Sequence, residues 1–174
     1  IDDAGNRNLT DIRNFTVLLP PTVSLVRPAA GALLNDSFNV TFEYNPFDED
    51  GLANASLFIN GGRNQTNITP TNDDNNRFNL TFGHEGFYNW SIEVFDTLGL
   101  STMSETRNFT LDTTPPNVTL NSPRNVTIST NNVTLNFTVI DIMDPVLTCN
   151  ITVNNVVEYA NRNVNNATTD IIYQ

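Results

Sequence analysis

The sequence predicts an all-β chain: two β-sandwich domains in tandem, the second of them incomplete. Three observations carry this reading. Apolar and polar residues alternate over many short windows, the pattern of strands with one buried face. The chain repeats itself at an offset of about 94 residues, a usual size for a sandwich domain. No window of useful length has the 3.6-residue period of an amphipathic helix, so no helix longer than about two turns is expected.

The repeat is legible in two parallel series. Asp96-Thr97-Leu98-Gly99, Arg107-Asn108-Phe109-Thr110-Leu111, Pro115-Pro116-Asn117-Val118-Thr119-Leu120 and Pro123 form one. Asp2-Asp3-Ala4-Gly5, Arg13-Asn14-Phe15-Thr16-Val17, Pro20-Pro21-Thr22-Val23-Ser24-Leu25 and Pro28 form the other. Downstream, Asn39-Val40-Thr41-Phe42 matches Asn132-Val133-Thr134-Leu135, and Ser56 to Asn60 matches Asn150 to Asn154. The register divides the chain into residues 1–19, the end of a repeat; 20–112, a whole repeat; and 113–174, most of another. The chain begins at Ile1 rather than Met and carries no signal peptide, which reads as a mature chain or an excised piece.

The whole repeat reads as seven strands. Val23 to Arg27 and Phe38 to Tyr44 come first; in the latter, Phe38, Val40, Phe42 and Tyr44 alternate with Asn39, Thr41 and Glu43. Ala55 to Asn60 and Gln65 to Thr69 follow, separated by Gly61-Gly62. Arg77 to Phe82 alternates again. Phe87 to Phe95 sets Tyr88, Trp90, Ile92 and Val94 on one face, which makes Trp90 a core aromatic rather than a sugar platform. Thr106 to Leu111 is the last. Thr, Val, Ile and Phe suit a pleated surface, and the Asn-rich breaks between them suit turns. Pro115-Pro116 fixes two backbone angles and makes the inter-repeat junction a short, semi-rigid hinge.

Tyr88-Asn-Trp90-Ser-Ile-Glu-Val-Phe-Asp96-Thr-Leu-Gly99, followed by Ser104 to Pro116, resembles the immunoglobulin-like repeats of archaeal and bacterial cell-surface proteins. The resemblance covers essentially the whole chain. It implies two immunoglobulin-like, or fibronectin type III-like, sandwiches, an extracellular and structural role, and an archaeal source in preference to a bacterial one. It also implies that a Cys on the third strand pairs with one on the sixth. Cys149 matches the first position, while the complete repeat has Ala55 there and Val94 at the second, so the first domain lacks the bridge.

Composition narrows the function. There are 8 Arg and no Lys against 19 acidic residues, a net charge of −11. Phosphate binding needs a basic face, so no nucleic-acid partner is expected, nor an anionic membrane surface. No apolar run approaches the roughly 18 residues of a membrane span. One His, one Cys and no Lys make a thin catalytic inventory, and nothing resembles a nucleophile elbow, so no enzyme is expected. His84, in a turn, has no second His to share a metal.

Asn-x-Ser/Thr sequons are the strongest chemical signal. Sixteen occur, none with Pro between. They begin at Asn8, Asn14, Asn35, Asn39, Asn54, Asn64, Asn67, Asn79, Asn89, Asn108, Asn117, Asn125, Asn132, Asn136, Asn150 and Asn166. Alternating strands favour Asn-Val-Thr triplets, but the excess over chance is about threefold. Dense N-glycosylation of an exposed, secreted chain is the expectation, with Asn39, Asn79 and Asn132 as outward-facing acceptors. Glycan is then the one expected attachment, with no cofactor.

Asp48-Glu49-Asp50-Gly51 is the strongest acidic cluster. Carboxylates at Asp48 and Asp50 before Gly make a candidate calcium site, set against an ordinary exposed acidic turn. Asp141 and Asp144 stand at the equivalent place, and Asp96 and Asp112 near the domain end are candidates for a junction site.

The leading function is a structural subunit or repeat segment of a glycosylated extracellular filament, stalk or surface layer. Its partners are copies of itself or neighbouring repeats. A cell-surface adhesin or glycan-binding module is the alternative; an accessory domain of a larger secreted enzyme comes third. Residues 13–19 match a final strand without a domain upstream, and the second repeat lacks counterparts of Phe87 to Phe95 and Thr106 to Leu111. Arg13, Phe15 and Val17 are therefore candidates for a strand donated to another subunit. The competing explanation is a fragment of a longer tandem array.

Overall fold

The computed structural model describes residues 3–7, 11–124, 127, 129 and 133–173, with side chains described through residue 168. Two sandwiches follow one another. In the first, one sheet has the order β1-β3-β6: Thr22–Arg27, Asn39–Phe47 and Asn76–Thr81. The facing sheet has the order β2-β9-β7-β4-β5: Ala32–Leu34, Arg107–Leu111, Gly86–Asp96, Leu52–Ile59 and Gly62–Asn67. Strand β8, Ser101–Met103, shares one edge of β7 with β9: β9 pairs with residues 86–90 and β8 with 93–95. The described residues contain no helix.

Period-2 alternation places the core. Val40, Phe42 and Tyr44 of β3 and Phe78 of β6 face Ala55 and Leu57 of β4, Trp90, Ile92 and Val94 of β7, and Phe109 and Leu111 of β9. Phe42 is the hub, with its ring 5.2 Å from Trp90, 5.8 Å from Phe109 and 6.3 Å from Phe82. Trp90 is core, as its phase predicts.

The strands differ from expectation where pairing overrides local pattern. Two three-residue strands were absent from the sequence reading. β2 exists because Ala32, Leu33 and Leu34 run parallel to Phe109, Thr110 and Leu111, and β8 folds back on β7. The expected strand Gln65 to Thr69 begins earlier, at Gly62, because it closes a two-residue hairpin with β4. That turn has Asn60 at φ 50° and Gly61 at φ 78°, the left-handed pair that matches strand twist. A second two-residue turn repeats it with Asn154 at φ 50° and Asn155 at φ 65°.

The second sandwich is built from β10 (Asn117–Ser122), β11 (Thr134–Ile140) and β14 (Thr169–Tyr173) in one sheet, and β12 (Val146–Val153) and β13 (Val156–Asn165) in the other. β10-β11-β14 reproduces β1-β3-β6, and β12-β13 reproduces β4-β5. Its core is Phe137, Val139, Leu147 and Val164. Among the described residues β12 pairs only with β13, where β4 pairs with both β5 and β7. The edge that β7 covers in the first sandwich is open in the second.

Residues 11–20 form no strand. The strand expected over residues 13–19 pairs with no strand among the described residues: Phe15 is 88% exposed, and Ile12, Val17 and Leu19 are also exposed.

Candidate functional site

Three features are built for something other than holding one sandwich together. The first is a groove of about 440 Å³ in the second sandwich, between its two sheets. Leu120 of β10, Leu135 and Phe137 of β11, and Leu147, Cys149 and Ile151 of β12 line it. It is the space that β7 and β9 fill in the first sandwich. Cys149 lies on its wall as a free, half-buried thiol; no Cys faces it, since the chain has one. The groove is lined by no Asp, Glu, Lys, Arg or His.

The second feature is the junction between the sandwiches. Asp112, just past β9, meets Asp141 and Asp144 from the β11–β12 loop, with one carboxylate oxygen of each within 4.8 Å of the others. This is the only such trio among the described residues. Asp141 is buried because its Oδ1 accepts from the backbone N–H of Met143 (2.8 Å) and of Asp144 (3.0 Å). Asp112 Oδ1 is buried without a hydrogen-bond partner. Burial pushes the Asp112 carboxyl above its ordinary range, and the charges of Asp141, Glu85 and Asp144 add to the effect. Glu85 itself is held down, by hydrogen bonds from Thr114 and Thr113. A small cavity of about 260 Å³ opens beside the trio, lined by Leu33, Phe87 and Met143 among others. The arrangement has the oxygen chemistry of a hard-cation site.

The sequence placed its carboxylates differently. Asp48 is buried rather than lying in an exposed turn. Asn72 is the reason: the Asp48 N–H donates to Asn72 Oδ1 (3.0 Å), and Asn72 Nδ2 donates to the Asp48 carbonyl (2.6 Å). Asp48 Oδ1 then accepts from the Asp50 N–H (2.8 Å). This is loop-closing hydrogen bonding, and no third carboxylate joins Asp48 and Asp50 among the described residues. Asp96 does not join Asp112. It pairs with Leu52 at one end of β7, while Leu111 pairs with Gly86 at the other. Its Oδ1 instead accepts from Leu98 and Leu100 N–H groups. His84 is exposed, and its carbonyl accepts from the Tyr88 hydroxyl.

The third feature is the distribution of sequons. Asn8, Asn125 and Asn132 lie outside the described residues. Asn14, Asn35, Asn39, Asn64, Asn89 and Asn117 are exposed and make no side-chain hydrogen bond among the described residues; Asn54 is half-buried and likewise uncommitted there. In Asn67, Asn79, Asn108, Asn136 and Asn150 the carboxamide is engaged through Oδ1 as an acceptor. Nδ2, the atom a glycan is attached to, makes no hydrogen bond among the described residues in Asn79, Asn108, Asn136 and Asn150, whereas the Asn67 side chain is turned to the Tyr44 hydroxyl and works against the rise that burial gives its pKa. Asn166 donates through Nδ2 to the Asp141 carbonyl, while its Oδ1 accepts from Asp141 N–H. It repeats the Asn72–Asp48 clamp in the second sandwich.

One polar cluster escaped the sequence reading altogether. Glu43 points outward from β3, yet Arg27 and Arg77 close over it and leave it 2% exposed. Hydrogen bonds from Arg27 and Arg77 hold its carboxyl below the usual range. Position 43 is an outward one in the alternation, and a Glu flanked across strands by Arg27 and Arg77 was the available signal.

No family model matches the sequence, and no curated protein matches it. Two solved structures are similar in shape, at scores too low to carry an argument. One is the fibronectin(III)-like modules of Clostridium thermocellum CbhA, with 12% identity, a TM-score of 0.48, and 87% of this chain and 92% of that one covered. The other is the PKD domain of an M14-like peptidase from a Thermoplasmatales archaeon, with 17% identity, a TM-score of 0.38, and 53% and 92% covered. The fold stands on the chain's own sheets: all-β, with immunoglobulin-like sandwiches.

Proposed function

We propose that this chain is a structural segment of a glycosylated extracellular filament, stalk or surface layer. The observation that carries the reading is the sequon geometry. In 11 of the 13 described sequons, all but Asn67 and Asn166, the acceptor nitrogen makes no hydrogen bond among the described residues, and the sequons are spread over both sheets and both sandwiches. Glycans there leave the inward core untouched and cover the outside with a hydrated layer. Stacked sandwiches joined by a two-proline hinge supply length at low conformational freedom. The composition agrees, since a surface rich in Asn and Thr on a chain of net charge −11 does not attract nucleic acid or anionic lipid. Calcium at the junction trio is compatible with this reading and is not required by it.

Site-resolved glycoproteomics of native material tests the proposal. Occupancy is expected at several exposed sequons, Asn39 and Asn79 among them, and Asn166 is expected to be bare because its Nδ2 is committed. A native chain at its unmodified mass, or glycan at Asn166 with Asn39, Asn64 and Asn89 empty, would overturn it.

A further inference from the structure

The outer face of the first sandwich carries an apolar patch where three sequons meet. Register sets Leu33 of β2, Thr110 of β9 and Phe87 of β7 side by side. All three turn away from the core, which takes Leu34, Phe109, Leu111 and Tyr88 from the same strands. Phe87 is 74% exposed and Leu33 80%, even with Met143 of the second sandwich beside them. One step along the strands, Asn89 stands opposite Asn108 on the same outer face. Asn35 follows Leu33 by two residues and lines the same small cavity as Phe87. Asn35, Asn89 and Asn108 each begin a sequon. We propose that the ring of Phe87 is the seat of the first sugar attached at Asn89, so that this glycan covers the patch. The proposal rests on the reading of the chain as glycosylated and names what one glycan does there.

Geometry selects Asn89 among the three. Phe87 and Asn89 are two residues apart on one strand, so their side chains leave the same face about 7 Å apart. The Asn89 main chain is spent on Asn60: its N–H donates to Asn60 Oδ1 (2.9 Å) and its carbonyl accepts from Asn60 N–H (2.9 Å). Its carboxamide makes no hydrogen bond among the described residues. Asn108 differs, because its Oδ1 accepts from Gly31 N–H (3.0 Å), which draws the carboxamide toward β2 and away from Phe87. Asn35 follows the end of β2, and β9 lies between β2 and β7. The link itself is a simple displacement. Asn89 Nδ2 attacks the anomeric carbon of a lipid-linked sugar phosphate. The new C–N bond replaces the carbon–oxygen bond to phosphate, the phosphate leaves with that electron pair, and Nδ2 gives up one proton.

A sugar suits this patch better than a protein does. A pyranose presents a face of C–H groups that packs on an aromatic ring while its hydroxyls stay in water. Phe87 offers such a ring with room beside it. The pairing of β4 with β7 ends at Ile59 and Trp90, so among the described residues no strand flanks Phe87 on that side. A folded partner would have to reach the patch between glycans at Asn35, Asn89 and Asn108. Asp112 and Asp144 at its margin also repel a second copy of this acidic chain. The sugar at Asn89 needs no approach, because its own bond holds it there.

The register also gives the contact a consequence for the neighbouring sequon. The main chain of Asn89 is turned to Asn60, and the Asn108 carbonyl accepts from Gly31 N–H (2.8 Å). Asn89 and Asn108 are therefore a non-hydrogen-bonded pair, with Cα atoms about 4.5 Å apart and side chains at their closest. Two bulky sugars standing upright there would collide. A sugar leaning along β7 onto Phe87 clears the space over Asn108.

The test uses the full chain made in a glycosylating eukaryotic host and trimmed by endoglycosidase to one N-acetylglucosamine per occupied sequon. Glycopeptide mapping should find Asn89 occupied. In proton–carbon spectra, the sugar signals that Asn89→Gln deletes should lie upfield of their ordinary positions, shifted by the Phe87 ring. Phe87→Ala and Phe87→Leu should each return them to those positions. Urea titration read by Trp90 emission measures the same contact. Phe87→Ala should lower the folding equilibrium constant about two- to tenfold, the range of one aromatic contact, and change it far less in the Asn89→Gln background. Sugar signals indifferent to Phe87, an equal loss in both backgrounds, or shifted signals that vanish with Asn108→Gln instead would overturn the proposal. So would a bare Asn89 in a chain glycosylated elsewhere, and the proposed function would then stand without this contact. A native chain at its unmodified mass would overturn both together.

Discussion

Replacing Phe42 by alanine, and separately Phe137 by alanine, removes the same ring from inward positions on the corresponding strands β3 and β11 of two differently closed cores. Phe42 is fully buried and touches three other rings. Its loss leaves a closed cavity, and Phe→Ala in such a site costs about 3–5 kcal/mol. Phe137 is nearly as well buried, but its surroundings already open into the groove. The cavity part of the cost falls away, leaving a transfer contribution of about 1.5–3 kcal/mol. The expected difference is about 2 kcal/mol in favour of a greater loss at Phe42. With a urea dependence of about 1–2 kcal/mol per molar for a domain of this size, the Phe42 variant should lose about 1–2 M more in midpoint than the Phe137 variant. Nature has supplied separate reporters. The single Trp, Trp90, lies in the first sandwich, and the single Cys, Cys149, in the second. Urea titration of dilute protein, read by Trp90 emission and by Cys149 labelling, follows each core alone. Equal losses for the two variants would refute the claim that the second core is open in the monomer.

Asn72→Ala removes both hydrogen bonds that hold the Asp48 backbone and should cost the first sandwich about 1–3 kcal/mol; an unmoved Trp90 midpoint would show the clamp to be idle. Asn166→Ala should do the same to the second sandwich, read by Cys149 labelling. The two shifted carboxyls have opposite signs. Asp112, raised by burial, is penalised when ionised: the penalty is full above its folded-state value and lifts as pH falls through it. Asp112→Asn should therefore stabilise the protein at neutral pH, with the advantage shrinking in acid. Glu43, lowered by its two Arg partners, stabilises above its unfolded-state value and loses that contribution as pH falls through the folded one. Glu43→Gln should destabilise at neutral pH and converge with wild type in acid. Urea midpoints between about pH 3 and 7 check both, and parallel curves for variant and wild type would contradict either assignment.

The fold was legible because one physical constraint, a buried face every second residue, writes itself into sequence locally. Val40, Phe42 and Tyr44 could be nothing but one side of a strand, and the offset between Arg13-Asn14-Phe15 and Arg107-Asn108-Phe109 disclosed the tandem. What stayed hidden depends on residues far apart in the chain. Ala32–Leu34 is too short to show a period and is a strand only because β9 lies beside it. Asp112 and Asp141 are brought together by the junction, whereas nearness in sequence had suggested Asp96, which β7 carries to the far end. Asp48 was misread as exposed because its clamp, Asn72, comes from another loop. The pairing was nonetheless written twice: Asp48 with Asn72, and Asp141 with Asn166, at the repeat offset.

The parallel pairing of β2 with β9 gives the first sandwich a property that matters only under tension. Residue 22 opens the domain at one pole and residue 111 leaves it at the other, so a pull along the chain draws the two ends apart through the length of the sheets. β9 is dragged along its own axis, past Ala32, Leu33 and Leu34 on one side and past residues 86–90 of β7 on the other. Its cross-strand bonds then share the force together and must give way nearly at once, where a hairpin pulled open from its free end would release them one by one. A chain of such units resists stretching by its topology, at a threshold set by the rate at which β9 slips rather than by the equilibrium stability of the domain.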